Sequence, residues 1–177
     1  MAQAAVKPRV YLAGPGVFRK DAQEFGRRLK AKCAHAGLVG CFPLDNEIAG
    51  GTSAETARAI YRANVDLIDA SQAIIAEISP FRGPNMDPGT AWEIGYGIAR
   101  GLPVYAWSTD PNLLFARTER HLGAHAHAGT GQDQNGWIIE NFGLVENLMI
   151  AVSATSLHAT DDAAIAACAA GLGVSVA

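Results

Sequence analysis

A chain of 177 residues with 49% hydrophobic and 18% charged residues is long enough for one domain with a sizeable core, and its composition excludes a disordered protein. The net charge of −3 argues against a nucleic-acid polymer or an anionic membrane as the main partner, and it is compatible with a small polar ligand. Three widely spaced cysteines, an N-terminus without an apolar leader and the lack of any long apolar run indicate a cytoplasmic protein with free thiols.

The first part of the chain alternates apolar strands with helices. In chain order the predicted elements are strand RVYLAGP, helix AQEFGRRLKAKCAHAG, strand LVGCFPL, helix AETARAIYRANVDLIDAS, strand QAIIAEIS, a helix from Pro88 to Gly101, and strand LPVYAWS. Asp21 could cap the first helix, and Ser53 and Thr56 are both plausible caps for the second, which has Asn64 on its apolar side. This alternation predicts an α/β, flavodoxin-like, doubly wound parallel sheet with helices on both faces.

The second part of the chain gives weaker signals. Residues 108–136 read as a long polar loop with some helix, which could act as a lid. The segment WIIENFGLVENLMIAVSAT could be a strand turning into a helix, and DDAAIAACAAGLG predicts a C-terminal helix over 160–173. We expect a single domain over residues 1–177, with a core over 9–150.

In parallel sheets, ligands bind beyond the carboxyl ends of the strands, and one weak motif lies there, with a second in the polar loop. The GPG at 14–16 is followed by Arg19 at the position where a dinucleotide fingerprint needs a small residue, and no phosphate-binding P-loop is present, so we expect no cofactor. Gly14 could still let a ligand approach the backbone. His121, His125 and His127 could bind a metal, but no rigid frame is evident there, so a solvated loop is favoured and no metal is predicted.

The block NMDPGTAWEIGYG carries two carboxylates, and each has a structural alternative. Asp87 before Pro88 is a good N-cap for the helix that follows. Glu93 falls in an otherwise apolar segment with glycines around it, where an ionised carboxylate in a cleft could act as a nucleophile; the alternative is an exposed surface residue. The position near the helix N-terminus favours its ionised form. Asp66, on the preceding helix, is either functional or part of a solvated face.

Three segments in order, VYLAGP, PFRGPNMDPGTAWEIGYGIARGLPV and NFGLVENLMI, resemble the nucleoside 2-deoxyribosyltransferases. The resemblance covers most of residues 9–150, and the D-x-G-T-x-x-E-x-G block is its most specific part. It implies a flavodoxin-like fold and transfer of 2-deoxyribose between nucleobases, with deoxynucleosides and free bases as substrates. CFPLDNE resembles purine-preferring members.

The resemblance also implies roles for individual residues. Glu93 would be the nucleophile on the anomeric carbon, Tyr11 would orient it, and Asp87 would exchange a proton with the base. The residues implied in substrate binding are Asp66, Phe18, Gly14, Asn147 and Met149. Asn147 would come from a neighbouring subunit of a homo-oligomer, an arrangement that the apolar group 148–150 and the Ala-rich tail also favour.

Two other functions stay open. A related hydrolase of deoxynucleoside 5′-monophosphates would need a phosphate site, and the only basic residues near the predicted strand ends are Arg19, Lys20 and Arg82. A non-catalytic nucleotide-binding module could share the fold, although two carboxylates in one block argue against it.

Overall fold

Five parallel strands form the central sheet of the computed structural model, which describes residues 6–46, 50–123 and 131–174 and the backbone of residues 126 and 127. The sheet strands are β1 (Arg9–Ala13), β2 (Val39–Cys41), β3 (Ala73–Glu77), β4 (Val104–Trp107) and β7 (Ser156–His158). A separate antiparallel pair consists of β5 (Ala126–His127) and β6 (Gln132–Asp133). The sheet order is β2-β1-β3-β4-β7, so the predicted flavodoxin-like α/β class is confirmed.

Helices cover both faces of this sheet. On one face lie α1 (Ala22–His35) and α6 (Asp161–Gly171), and on the other lie α2 (Ser53–Asp69), α3 (Pro88–Ala99) and the short α5 (Leu148–Ala151). The remaining helix, α4 (Leu114–Leu122), follows β4. Within the described residues, no helix combines the length and apolar character that a membrane span requires.

Alternation along the strands divides the core into two layers. In β1, Val10 and Leu12 pack toward α1 and α6, whereas Tyr11 and Ala13 pack toward α2 and α3. Successive side chains of a strand point to opposite faces, so this register sends the Tyr11 phenol to the α3 side. That layer holds the candidate site.

Two helix starts differ from the sequence expectations. The cap of α2 is Thr52, not Ser53 or Thr56, because Thr52 and Glu55 form a reciprocal capping box. Asp21 precedes α1 but makes no side-chain cap, since its carboxylate binds the Arg19 guanidinium at 2.8 Å instead.

The C-terminal part of the chain confirms some expectations and corrects others. The helix expected within the polar stretch 108–136 is the nine-residue α4, with Leu114 and Arg117 buried. The strand predicted at WIIE is wrong: Ile138 makes only an isolated bridge to Gln132, and β7 supplies the fifth sheet strand. The Ala-rich helix is confirmed, but it buries Ile165 and its neighbours against its own sheet, so its apolar side is not surplus surface.

Candidate active site

A cavity of about 520 Å³ opens at the carboxyl ends of β1 and β2, beside α2 and the start of α3. Its size is typical of sites for small organic ligands. One part of its wall is apolar and another part carries amides, a hydroxyl and two carboxylates. The lining residues are Gly14, Val17, Phe18, Pro43, Leu44, Asn46, Ile60, Ala63, Asn64, Asp87, Gly89, Thr90 and Glu93.

Gly14 allows the chain to leave β1 beside the cavity. Its φ of 152° is a conformation that residues with a side chain rarely adopt. A Cβ at this position would lie 2.8 Å from the Glu77 Cβ. A glycine is therefore required where β1 turns beside the end of β3.

Asp87 is the N-cap of α3, as predicted, with Pro88 at the first helical position. Its Oδ2 accepts hydrogen bonds from both the Thr90 amide and the Thr90 hydroxyl, each at 2.9 Å. Within the described residues, the backbone amide and the hydroxyl of Thr90 both donate to Oδ2, which leaves Oδ1 for a ligand. Trp92 of this helix is 46% exposed and stacks on Tyr96.

Glu93 lies one and a half turns further along α3 and points toward β1. The Tyr11 hydroxyl, in a side chain that is fully buried, donates a hydrogen bond of 2.6 Å to Glu93 Oε1. The Asn64 amide of α2 donates to the same oxygen over a longer distance of 3.5 Å. Three elements that are distant in sequence thus converge on one carboxyl group.

Burial dominates the electrostatics of this carboxyl group. Desolvation raises the pKa of Glu93 to about 7, and the nearby charge of Asp87 adds to the rise. The hydrogen bonds from Tyr11 and Asn64 act in the opposite direction and lower that pKa. The expectation that the helix N-terminus keeps Glu93 ionised is therefore outweighed by burial. Desolvation, together with the charge of Glu93, also raises the pKa of Tyr11 well above its usual range.

Phe18 forms an aromatic wall of the cavity. Its ring stacks on Phe81 with centroids 5.3 Å apart, and the Arg82 guanidinium lies over both rings. Arg82 has a positive φ of 56°, which is uncommon for a residue with a side chain. The Arg82 charge is thus engaged by the aromatic pair at this end of the site.

Three of the expected binding residues lie outside the cavity of their own chain. Asp66 is exposed on α2, because its position on the helix is turned away from Asn64. Asn147 caps α5, where its Oδ1 accepts from the Met149 amide at 3.0 Å and its Nδ2 donates to Glu140 at 2.8 Å. The Met149 side chain is 70% exposed.

The predicted histidine cluster lies mostly outside the described side chains. His121 is exposed near the end of α4, His125 lies outside the described residues, and only the backbone of His127 is described. Among the residues that the structure describes, no group of three or more His, Cys, Asp or Glu side chains could hold a metal.

Several polar residues of the site were not assigned a role from sequence. The sequence places Asn64 on the apolar side of its helix without indicating a role, and it indicates none for Asn46. Within the described residues, Asn46 Nδ2 and Asn64 Oδ1 are buried without a hydrogen-bond partner. A buried amide atom without a partner is costly, so a donor and an acceptor are both available to a ligand here. For Asn64, the sequence feature that could have indicated a role in the site is an amide on an otherwise apolar helix face.

The five-stranded parallel sheet with helices on both faces makes this chain a flavodoxin-like α/β protein, with a cavity and a buried carboxyl group at the carboxyl edge of the sheet. Within that class, the chain belongs to the nucleoside 2-deoxyribosyltransferase family, whose model matches residues 10–149. An uncharacterized protein of Schizosaccharomyces pombe is 35% identical in an alignment that covers 84% of this chain and 77% of that protein.

Solved structures agree with this assignment. A 2-desoxiribosyltransferase from Leishmania mexicana is 33% identical, with a TM-score of 0.72, and the match covers 92% of this chain and 97% of that chain. Two further structures, each 21% identical, share the fold. A conserved protein from Enterococcus faecalis has a TM-score of 0.58, and the match covers 90% of this chain and 96% of that chain. A 2-deoxyribosyltransferase from Bacillus psychrosaccharolyticus has a TM-score of 0.51, and the match covers 78% of this chain and 96% of that chain. Family membership and the first of these structures support a role in nucleoside deoxyribosyl transfer.

Proposed function

We propose that this protein transfers 2-deoxyribose from one nucleobase to another, with purines favoured, through a covalent ester between Glu93 and the sugar. The observation that carries the proposal is the Tyr11–Glu93 hydrogen bond of 2.6 Å at the wall of a ligand-sized cavity, with Asp87 in the same wall. The Tyr11 hydroxyl fixes the reactive oxygen and stabilises its ionised form. A pKa of about 7 leaves a substantial ionised fraction of Glu93 at neutral pH.

The reaction proceeds in two displacements at the anomeric carbon. In the first, a Glu93 oxygen bonds to that carbon, the carbon–nitrogen bond to the base breaks, and Asp87 gives its proton to the departing base. In the second, a new base bonds to the same carbon, its proton goes to Asp87, and the ester bond breaks to restore the Glu93 carboxylate. Two inversions give net retention, and proton transfer contributes roughly 10²–10⁴-fold to the rate.

The apolar and polar groups that line the cavity are suited to binding a nucleoside. The apolar wall around Phe18 can contact the flat face of a base, and the partnerless atoms Asn46 Nδ2 and Asn64 Oδ1 can contact its polar edge or the sugar. Asp87 Oδ1 is the oxygen available for the proton, because Thr90 occupies Oδ2.

The charges favour a nucleoside over a nucleotide. Among the described residues that line the cavity, none is a lysine, an arginine or a histidine. A 5′-phosphate carries two negative charges near neutral pH and would meet two carboxyl groups in a lining whose described residues hold no cation, since the nearby Arg82 guanidinium lies over the Phe18 and Phe81 rings. A hydrolase of deoxynucleoside 5′-monophosphates is therefore the less favoured alternative.

A second subunit is part of the proposal. Exposed apolar side chains occur repeatedly in the segment that leads to Asn147 and in or directly after α5, and they include Trp137, Ile138, Phe142, Met149 and Val152. Such surface marks an interaction site, and each large side chain buried there contributes roughly 1.5–3 kcal/mol. A homo-oligomer that buries this surface could bring Asn147 to the site of its neighbour.

The test is incubation with deoxyadenosine plus hypoxanthine, with deoxyadenosine alone, and with dAMP alone, each followed by chromatography of bases and nucleosides. Transfer predicts deoxyinosine and free adenine in the first mixture. Free adenine from dAMP without deoxyinosine in the first mixture would identify the hydrolase. Binding of these compounds without any product would identify a non-catalytic module. Glu93→Ala is the matched control for contaminating activity.

A further inference from the structure

A buried ion pair lies directly behind the start of α3. Arg117 of α4 and Glu146, just before α5, are 4% and 1% exposed in their side chains, and Arg117 Nη2 donates to Glu146 Oε2 at 3.2 Å. Neither residue lines the cavity. A buried pair of this kind is weak evidence for stability, because apolar residues of the same volume often serve as well. The positions of its other hydrogen bonds are therefore informative.

Most of those bonds end on the three residues that precede Asp87. Glu146 Oε2 accepts from the Met86 amide at 3.0 Å, and Oε1 accepts from Asn85 Nδ2 at 3.3 Å. Arg117 Nε donates to the Pro84 carbonyl at 3.0 Å. The ion pair thus clamps residues 84–86 through two backbone groups and one side chain.

The far side of the clamp is anchored as well. Arg117 Nη1 donates to the Asn112 carbonyl at 2.7 Å, and Glu146 Oε1 also accepts from its neighbouring amide at Asn147, at 3.0 Å. The guanidinium uses all three of its nitrogens in a fixed planar arrangement, which a lysine ammonium cannot reproduce. The segment before Asp87 is therefore held against α4 and α5, while Thr90 holds the Asp87 carboxylate from the α3 side.

We propose that Arg117 and Glu146 are positioning residues for proton transfer: they fix residues 84–86 so that Asp87 presents its free oxygen to the leaving base. This inference rests on the proposed function, because it assigns Asp87 the proton step. A displacement of about 1 Å in a reacting group can cost roughly a hundredfold in rate. The clamp accordingly matters for bases that leave only after protonation.

The experiment compares two sugar donors in single-turnover reactions with excess enzyme. Deoxyadenosine requires protonation of its base, whereas p-nitrophenyl 2-deoxyriboside releases a phenolate that is stable without a proton. Asp87→Asn provides the reference pattern, a large loss with the first donor and a small loss with the second. For Glu146→Gln and Arg117→Lys we expect adenine release to fall roughly tenfold to a hundredfold, with nitrophenol release within about threefold of wild type.

A general loss of folding would lower both rates together, so the ratio of the two rates is the decisive quantity. Arg117→Met/Glu146→Met removes both charges at once and leaves no charge buried alone, and it should show the same selective loss if the single variants fold poorly. Asp161→Asn is the matched control: it removes the 2.7 Å ion pair with Lys32 on the opposite face and should leave the ratio unchanged.

The outcomes separate this inference from the function on which it rests. Parallel losses with both donors in folded variants, or no loss with either donor, would overturn the positioning role while wild-type transfer stands. A wild-type protein that releases neither adenine nor nitrophenol would refute the proposed function itself, and the inference with it.

Discussion

Replacing Glu93 with glutamine tests two effects of its buried negative charge separately: the effect on the stability of the fold and the effect on transfer activity. Glutamine keeps an oxygen that can accept the Tyr11 hydrogen bond, but it cannot ionise. We therefore expect Glu93→Gln to lose nearly all transfer activity and to be more stable than wild type at alkaline pH.

The magnitude follows from the pKa of Glu93, which burial raises from 4.5 to about 7 in the folded protein. Because the folded state holds the proton more tightly, the stabilising contribution is fully present below pH 4.5 and is lost as the pH rises through about 7. The full difference corresponds to about 3 kcal/mol, most of it lost between pH 5 and pH 8. The variant has no such loss, so its advantage should grow by about 2–3 kcal/mol over that interval.

The assay is urea unfolding of wild type and variant at pH 5 and pH 8, at one fixed protein concentration because an oligomer would make stability depend on concentration. Glu24→Gln, which neutralises an exposed carboxylate paired with Arg27, should give the same small difference at both pH values. A stability difference between Glu93→Gln and wild type that is equal at both pH values would refute the argument, because it would mean that Glu93 ionises in the folded state as it does in the unfolded chain.

Three further predictions concern the proposed reaction. Tyr11→Phe removes the hydrogen bond to ionised Glu93, which is worth about 1.5–3 kcal/mol. The pKa that defines the acid limb of the kcat/KM profile should therefore rise by about one to two pH units. An unchanged pKa of that limb would show that this bond does not affect the ionisation of Glu93. Asp87→Asn keeps an acceptor for the Thr90 amide, so stability to urea should change little. Deoxyadenosine turnover should fall roughly 10²–10⁴-fold because the proton transfer is lost. Turnover at the wild-type rate would show that Asp87 acts only as a helix cap. Mixing Glu93→Ala with Asn147→Ala should restore part of the activity after subunit exchange, and a monomer by light scattering, or no recovery after proven exchange, would show that each chain carries its own complete site.

The sequence predictions that are confirmed depend on local features, such as helix caps and short hydrophobic runs. Asp87 and Pro88 start α3 because a cap needs only the amides of the next turn, and the structure has that bond at 2.9 Å. The apolar runs of β1, β3 and β4 suit burial between two layers of helices, and the strand–helix alternation led to the correct fold class.

Sequence patterns gave wrong or no predictions where the residues that contact a segment lie far away in the sequence. WIIE is as apolar as a strand, yet β7, with the less regular sequence SLH, occupies the sheet edge beside β4. Arg117 stands in a polar stretch of the sequence, and its buried guanidinium depends on partners that include Glu146, 29 residues away. No local periodicity encodes such a pairing.

For the candidate site, the sequence by itself determined which residues stand in the D-x-G-T-x-x-E-x-G block and that Glu93 follows a capped helix start. Only the tertiary structure decided the chemical state of that residue. Tyr11 reaches Glu93 from 82 residues away because the register of β1 turns its side chain toward α3, and burial then raises the pKa of Glu93 to about 7. A pKa depends on what surrounds a group in three dimensions, whereas a motif records only its neighbours along the chain.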